Sequence, residues 1–458
     1  MRESPAKGAL GHLHASDLRA LVQLAAQATS GVSRVVEGVH QSVWSTLGAP
    51  GGDEPGQARG VTGGVYRGIQ GITKLVGRVT DELLEKLEPL LSGMQRGEIE
   101  RPQREVVLAA LNGVMGDRLV ESGNSFAVPM SLRYRGAALD WQAMPPVSSV
   151  SSKVLLLVHG LCSSDRHWRR EHEGREVDHG QALASAMGAT PLYLRYNTGL
   201  HISVNGRELA AQLEQLVRTW PVPLEELTVV SYSMGGLVTR SAAHIGHQEG
   251  QSWFGRLKSL VFLGTPHHGA PLERIGSWLD EVLGSLAYTA PFSRLSQLRS
   301  AGITDLRFGH VVDEDWQGRD RFLRHSDRRQ PVPLPSGVAS YAIAASLASQ
   351  DARPIQSALA ECFVGDGLVP LHSALGTSAL GASALGTSAL GTSALRGPDE
   401  AERRLQFPKE AQWIAKGMNH LELLSRPEVT RQLLRWLAPE SGQSLVSDES
   451  GEVGPSLH

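Results

Sequence analysis

The stretch Thr228-Val229-Val230-Ser231-Tyr232-Ser233-Met234-Gly235-Gly236 joins an apolar, β-rich run directly to a serine flanked by small residues. A strand that turns sharply into a helix strains its central residue and leaves no room for bulk two positions away, which produces the Gly-x-Ser-x-Gly pattern. Ser231 replaces the first glycine here, while Gly235 keeps the far side open. The stretch predicts that Ser233 is a nucleophile on a strand-to-helix turn. An ordinary Ser/Gly turn after a strand is the alternative.

Composition limits the classes of protein to consider. The chain has 458 residues, enough for one large α/β domain plus an accessory segment. Its formal net charge of −3, with 20% charged residues, provides no basic surface for a nucleic acid. Cys162 and Cys362 are the only cysteines and lie far apart in sequence. We therefore expect neither a disulfide framework nor a cysteine-based metal site. A reducing compartment is expected for the same reason.

The N-terminal region is predicted to be helical. Met1 to Ser16 lacks the apolar core of a secretory signal, and no later run approaches the ~20 apolar residues of a membrane span, so a cytoplasmic location is expected. From Asp17 to about Gly93 apolar residues recur at helical spacing, which indicates two amphipathic helices. They either pack within the protein or form a surface for oligomerisation or peripheral membrane contact.

Strand-like runs alternate with helical patterns beyond about Arg104. The runs are Ser131 to Tyr134, Val154 to Val158, Pro191 to Tyr196, Leu227 to Val230, Leu260 to Leu263 and Val338 to Ala344. This alternation implies βαβ units and a mostly parallel sheet flanked by helices. We expect an α/β domain over 104–437, an N-terminal helical accessory segment over 1–103 and a disordered tail over 438–458.

Two segments interrupt the alternation. The first, 276–329, begins with an apolar helical pattern around Trp278 and continues with dense charge, so we predict a helical cap over the site. The second, 372–396, is a tandem five-residue repeat built on Ser-Ala-Leu-Gly. A glycine in each short unit prevents a core from forming, which predicts a flexible surface loop.

An activated serine needs a base and a carboxylate to orient that base, in the chain order Ser, acid, His for this topology. Asp366 lies between two glycines just past a short apolar stretch and is the candidate acid; its alternative role is to cap a turn. His420 precedes the final apolar helix and is the candidate base. His267 and His268 are rival bases, but they precede the acid in the chain.

Acyl transfer also needs donors for the developing oxyanion. The N–H of Met234, just after the nucleophile, should supply one, and that of Leu161, in the loop after an early strand, the other. Cys162 in the same loop has no activating pattern and is interpreted as a partly buried cysteine. His267 and His268 are adjacent and have no evident carboxylate partner, so neither a metal nor a cofactor is expected.

Five motifs occur together in this chain. They are His159-Gly160, the Ser233 elbow, Gly264-Thr265-Pro266-His267-His268-Gly269-Ala270, Gly365-Asp366-Gly367 and Asn419-His420. Together they resemble an α/β-hydrolase of the lipase and esterase type over roughly Arg104 to Leu437. The chain is most similar to bacterial serine esterases grouped with the GPI inositol-deacylase-like (PGAP1-like) hydrolases, in which Gly-Thr-Pro-His-x-Gly follows the strand after the nucleophile. The resemblance implies the triad Ser233, Asp366 and His420.

Two features depart from the pattern of that family. Ser231 and Tyr232 stand where Gly-His is usual, and the repeat lengthens the loop after the acid. The predicted function is hydrolysis of a hydrophobic or lipid-like carboxylic ester through an acyl-enzyme, without a cofactor. An acyltransferase with the same triad and an inactive hydrolase fold that binds or scaffolds a partner are the alternatives.

Overall fold

The computed structural model describes residues 102–271, 274–276, 299–319, 329–348, 365–377 and 403–438. The predicted accessory segment therefore lies outside the described residues up to 101, and the predicted tail from 439 onward. The predicted cap is described only at 276, 299–319 and 329, and the repeat segment only up to 377. Cys362 and Trp278 also lie outside the described residues.

Helices and strands alternate through most of the described chain. The helices are α1 (Pro102–Glu121), α2 (His179–Met187), α3 (Ile202–Thr219), α4 (Met234–Gln248), α5 (Ala301–Phe308), α6 (Leu371–Ala374) and α7 (Pro427–Leu437). The strands are β1 (Ser131–Tyr134), β2 (Ala137–Ala138), β3 (Lys153–Val158), β4 (Arg169–His172), β5 (Arg175–Asp178), β6 (Thr190–Arg195), β7 (Glu226–Tyr232), β8 (Leu257–Leu263), β9 (Ala339–Ser346) and β10 (Gln412–Lys416). Short 3-10 turns occur at Val147–Ser149, Asp165–Trp168, Phe254–Arg256, Asp313–Asp315, Lys409–Ala411 and Leu421–Leu424.

The main sheet, within the described ranges, has eight strands in the order β10-β9-β8-β7-β3-β6-β1-β2. The neighbours from β10 to β6 pair in parallel, whereas β1 pairs antiparallel with β6 and β2. β4 and β5 form a separate hairpin. The chain crosses from β3 to β6 on one side and then to β7 on the other, which creates the crevice where ligands bind in open α/β sheets. This arrangement is the predicted α/β-hydrolase fold.

Both faces of the central strand are covered. Leu155 to Val158 are 0% exposed, as the continuous apolar run predicts. Leu156 and Val158 belong to the core cluster that includes apolar residues of α3 and α4, whereas Leu155 and Leu157 belong to the cluster that includes residues of α2 and α7. Each fully buried leucine contributes roughly 2 kcal/mol relative to an exposed one, so this strand anchors the loop that follows it.

Helix α1 lies against the loops that follow β3 and β6. A Cβ atom at Gly113 would overlap the Sγ of Cys162, and one at Gly116 would overlap the side chain of Asn197. The Asp117 carboxylate accepts a hydrogen bond from the N–H of Ala301, at the start of α5, at 3.0 Å. The helix is kinked at Met115, where φ is −144° and ψ is 22°. Helix α1 thus packs directly on the carboxyl edge of the sheet.

His179 joins α2 to the segment that follows the candidate base. Its side chain is 0% exposed, with Nδ1 2.8 Å from Thr430 Oγ1 and Nε2 donating to Leu423 O at 3.0 Å. Burial lowers the pKa of His179 to about 4, below the ~6.5 of an unfolded histidine. The unfolded chain therefore binds this proton first, and the stability present above pH ~6.5 is lost as the pH falls toward the folded pKa.

We expect the contribution of His179 to the unfolding free energy to fall by about 2 kcal/mol between pH 7 and pH 5. Urea denaturation of the wild type and of His179→Gln at both pH values measures this difference. The variant should lose less stability than the wild type on acidification, whatever its stability at pH 7. Equal losses in the two proteins would contradict the burial of a neutral imidazole at this position.

Candidate active site

Ser233 lies on a strained turn between β7 and α4. Its φ of 53° and ψ of −124° fall in a region that costs a non-glycine residue ~1–3 kcal/mol. The turn is fixed by a 2.8 Å hydrogen bond from the Ser233 N–H to Leu263 O in the neighbouring strand. A Cβ at Gly235 would lie 2.5 Å from the His159 carbonyl oxygen, and one at Gly236 would overlap the side chain of Thr265. The small residues of the motif are therefore a consequence of crowding.

Ser231 fits at the first glycine position of the Gly-x-Ser-x-Gly pattern because its side chain is small and has a partner. The residue is 0% exposed, and its hydroxyl donates to Val261 O in β8 at 2.9 Å. A buried hydroxyl without a partner would be destabilising, so this bond is what makes serine acceptable here. The departure from glycine thus leaves the turn intact.

The loop after β3 lies directly against the serine. A Cβ at Gly160 would lie 3.0 Å from the Cβ of Ser233, so the loop backbone passes the nucleophile at close range. The Tyr196 hydroxyl donates to His159 O at 2.8 Å, and the Cys162 N–H donates to Thr198 Oγ1 at 3.2 Å. These two bonds hold the loop at both ends.

The two N–H groups predicted to stabilise an oxyanion are those of Leu161 and Met234. Neither has a hydrogen-bond acceptor in the described part of the chain. Met234 is the first residue of α4, so its N–H has no partner within the helix and lies at the positive end of the helix dipole. Their location beside Ser233 suits a developing negative charge, and their role remains a prediction.

Asp366 and His420 are brought into contact from positions far apart in the chain. His420 Nδ1 donates to Asp366 Oδ2 at 2.6 Å, and both residues are 2% exposed. Asp366 Oδ1 accepts the N–H groups of Leu368 at 3.0 Å and Val369 at 2.7 Å. The His420 N–H also donates to the Asp366 carbonyl oxygen at 3.1 Å. The carboxylate is therefore fixed on both oxygens and directs one of them at the imidazole.

The imidazole of His420 lies at the carboxyl ends of β7 and β8, beside the serine turn. A Cβ at Gly264 would lie 2.9 Å from His420 Cε1, and Gly264 directly follows Leu263, the residue that accepts the Ser233 N–H. Gly264 has a φ of 57°, a second reason for glycine at this position. Ser233, Asp366 and His420 thus share one edge of the sheet.

The rival bases, His267 and His268, lie in a different environment from that of His420. His267 is 1% exposed, with its ring 4.9 Å from that of Phe262 and 5.6 Å from that of Phe407. Burial holds the pKa of His267 well below its usual value and lowers that of His268 to about 4. The N–H of His267 donates to Ser373 O at 3.1 Å, so this turn is tied to the segment that follows Asp366. Within the described ranges no group of three or more His, Cys, Asp or Glu side chains is arranged to hold a metal ion.

Cys162 is buried against helix α1. It is 5% exposed, its Sγ lies 3.8 Å from Ala110 O, and burial raises the pKa of its thiol to about 12. Because the thiolate is the nucleophilic form, the raised pKa disfavours a nucleophilic role for this cysteine at neutral pH. The sequence predicted a partly buried cysteine, and the structure buries it almost completely.

Replacing Gly113 by alanine tests how closely α1 packs on this loop. Glycine to alanine inside a helix normally stabilises by ~1 kcal/mol, but here the new methyl would overlap the Cys162 sulfur. We expect Gly113→Ala to destabilise the protein by about 1–3 kcal/mol, and Cys162→Ala to offset part of that loss in the double variant. Chemical denaturation of the four proteins of this cycle gives the coupling energy. Strictly additive effects would contradict the close contact.

The sequence alone did not identify several residues that hold this site together. Tyr232, Tyr196 and Ser373 each make a hydrogen bond to backbone of a loop at the carboxyl edge. Tyr196 follows β6, and polar residues just past the carboxyl end of a parallel strand are a usable signal. The contacts of Tyr232 and Ser373 join segments distant in sequence and leave no local pattern.

Comparison with known families yields one match over part of the chain. Residues 121–299 match a domain of unknown function, DUF7379. No curated protein matches this chain.

No helix in the part of the chain that the structure describes is long and apolar enough to span a bilayer.

Several solved structures resemble this chain at low identity. The mature Bacillus licheniformis lipase BlEst2 is 18% identical, with 68% of this chain and 99% of the lipase covered and a TM-score of 0.35. The RedJ thioesterase of the Streptomyces coelicolor prodiginine pathway is 17% identical, with coverages of 67% and 96% and a TM-score of 0.33. The Pyrococcus furiosus esterase Pf2001 is 14% identical, with coverages of 63% and 83% and a TM-score of 0.33. Likenesses of this size identify neither a family nor a function for this chain.

Proposed function

We propose that this protein is a serine hydrolase that cleaves a carboxylic ester through an acyl-enzyme. The observation that carries the proposal is the 2.6 Å hydrogen bond between His420 and Asp366 at the sheet edge where Ser233 occupies its strained turn. A serine on an elbow, an imidazole beside it and a buried carboxylate that orients the imidazole are the groups that nucleophilic acyl transfer needs.

Each group has a defined part in the proposed reaction. As the Ser233 oxygen bonds to the acyl carbon, His420 takes the proton of the Ser233 hydroxyl. Asp366 stabilises the imidazolium that forms. The N–H groups of Leu161 and Met234 stabilise the oxyanion. As that intermediate collapses, the C–O bond to the alcohol breaks and His420 returns the proton to the departing alkoxide. Water, activated by the same imidazole, then hydrolyses the acyl-enzyme.

A hydrophobic or lipid-like ester is the proposed substrate. The support is the apolar start of the predicted cap and the predicted amphipathic segment before α1, which would also supply any peripheral membrane contact. The turn Gly264 to Ala270, which follows β8 and leads toward the cap, supports a relation to the PGAP1-like esterases.

Hydrolysis of p-nitrophenyl esters from acetate to palmitate tests this proposal. We expect turnover by the full chain, with an optimum at medium or long acyl chains. Adding glycerol as an acceptor distinguishes the acyltransferase alternative, because glyceride would then replace free acid as the main product. No turnover at any chain length, together with no reaction of Ser233 with a fluorophosphonate probe, would favour a non-catalytic binding protein.

A further inference from the structure

Tyr232 directly precedes the candidate nucleophile in the chain and contacts the candidate base. It is the last residue of β7, directly precedes Ser233, and is 3% exposed. Its hydroxyl donates a hydrogen bond to the backbone oxygen of His420 at 3.2 Å. Its ring centroid lies 5.0 Å from that of the His420 imidazole, with the two planes inclined by 35°. The same side chain thus contacts both the backbone and the ring of the base.

Tyr232 also contacts the loop that carries a proposed oxyanion donor. A Cβ at Gly160 would lie 3.1 Å from Tyr232 Cδ1, so the aromatic ring passes close to the backbone just before Leu161. The nucleophile, the base and this loop come from three segments that are distant in sequence. Tyr232 adjoins the nucleophile in the chain, and its buried side chain lies against both the base and this loop.

The hydrogen bond to His420 complements the bonds that Asp366 makes. Asp366 accepts hydrogen bonds from the Nδ1 and the backbone N–H of His420. Tyr232 donates a hydrogen bond to the carbonyl oxygen of the same residue. Burial raises the pKa of Tyr232, so its hydroxyl stays protonated and remains a donor. The Tyr232 bond therefore links the base to β7, the strand that ends just before Ser233.

We propose that Tyr232 is a positioning residue that sets the distance and orientation of the His420 imidazole relative to the Ser233 hydroxyl. This inference rests on the proposed function, because it concerns the proton transfer from Ser233 to His420. That transfer needs the two heavy atoms within about 3 Å, and a displacement of ~1 Å can cost ~100-fold in rate. Tyr232 stands next to the nucleophile in the chain, and its hydroxyl bonds to the loop that carries the base.

The test compares Tyr232→Phe with Tyr134→Phe. Both variants lose one hydroxyl that donates to a backbone carbonyl, that of His420 in the first case and that of Ser149, at 2.8 Å, in the second. Tyr134 is in β1, which β3 and β6 separate from β7 in the sheet, so it serves as a control away from the site. The readouts are kcat and KM for a p-nitrophenyl ester, the rate of phosphonylation of Ser233 by a fluorophosphonate, and the melting temperature.

We expect Tyr232→Phe to lower kcat and the phosphonylation rate about 10-fold, with KM changed by less than about 2-fold. Tyr134→Phe should lose a similar amount of stability and keep the wild-type kcat. Equal kcat values in Tyr232→Phe and the wild type, or the same fall in both variants, would overturn the positioning role while leaving the proposed function in place. A wild type that neither hydrolyses esters nor reacts with the probe would remove the proposed function and this inference together.

Discussion

Ser233→Ala should abolish ester hydrolysis, with a fall in kcat of at least ~10⁴-fold, because no other residue in the proposed mechanism can form the acyl-enzyme. The fold should tolerate the change, since the turn is held by the backbone bond from residue 233 to Leu263 O rather than by the hydroxyl. Alanine keeps the Cβ that packs against Gly160. The measurement is kcat on p-nitrophenyl esters of several chain lengths, together with the melting temperature.

Cys162→Ala is the matched control for the serine variant. It removes the other candidate nucleophile near the site, whose buried thiol has its pKa raised to about 12. We expect this variant to be hydrolytically active, with a modest loss of stability from the lost packing against α1. Activity that survives Ser233→Ala, or that disappears only in Cys162→Ala, would contradict Ser233 as the nucleophile.

Asp366→Asn should lower kcat by ~10⁴-fold with little change in KM, because the amide cannot stabilise the imidazolium and favours the wrong imidazole tautomer. The other carboxylate oxygen, which accepts the N–H groups of Leu368 and Val369, can be replaced by the amide oxygen. The turn should therefore keep its conformation. The kcat and KM for the best p-nitrophenyl ester measure the effect on catalysis. A denaturation curve measures any effect on stability.

A neutralised carboxylate elsewhere in the chain provides the comparison. Asp313 forms an ion pair with Arg207 at 2.8 Å, which is partly exposed and so contributes little. Asp313→Asn should leave kcat within about twofold of the wild type. If Asp366→Asn retained most of the wild-type kcat, the carboxylate would have only the turn-capping role that the Asp-Gly pattern also allows.

The sheet was largely predictable because its strands have strong local signals. Each of the six predicted strand-like runs is confirmed by a strand, and the final apolar helix predicted after His420 is α7. The central strands β3, β7 and β8 are buried over most of their length, which produces a largely apolar sequence that cannot be mistaken for a surface segment. The order Ser, acid, His then followed from the topology.

The elements that were not predicted have weaker or misleading signals. β10 is only five residues long, begins and ends with polar residues, and lies at an edge of the sheet. The β4–β5 hairpin is rich in charge, although Glu173 and Gly174, with φ of 50° and 74°, form the kind of positive-φ turn that favours hairpins. Helix α1 was not predicted, even though Val107, Leu111 and Val114 have the spacing of a buried helical face.

The candidate site was predictable only in part. The sequence led to Ser233, Asp366 and His420 through their turns and their order, and the structure places the last two in hydrogen-bond contact. The link from Tyr232 to His420 depends on how the end of β7 meets a loop 188 residues away in the chain. Such a contact is decided by tertiary packing, so a single sequence carries no sign of it.

The most direct measurement is to treat the full chain with a fluorophosphonate and locate the adduct by peptide mass spectrometry. The proposed mechanism predicts one adduct, on Ser233, that is absent in Ser233→Ala and forms far more slowly in His420→Ala. An adduct on another residue, or none on a wild type that still hydrolyses esters, would contradict Ser233 as a nucleophile activated by His420.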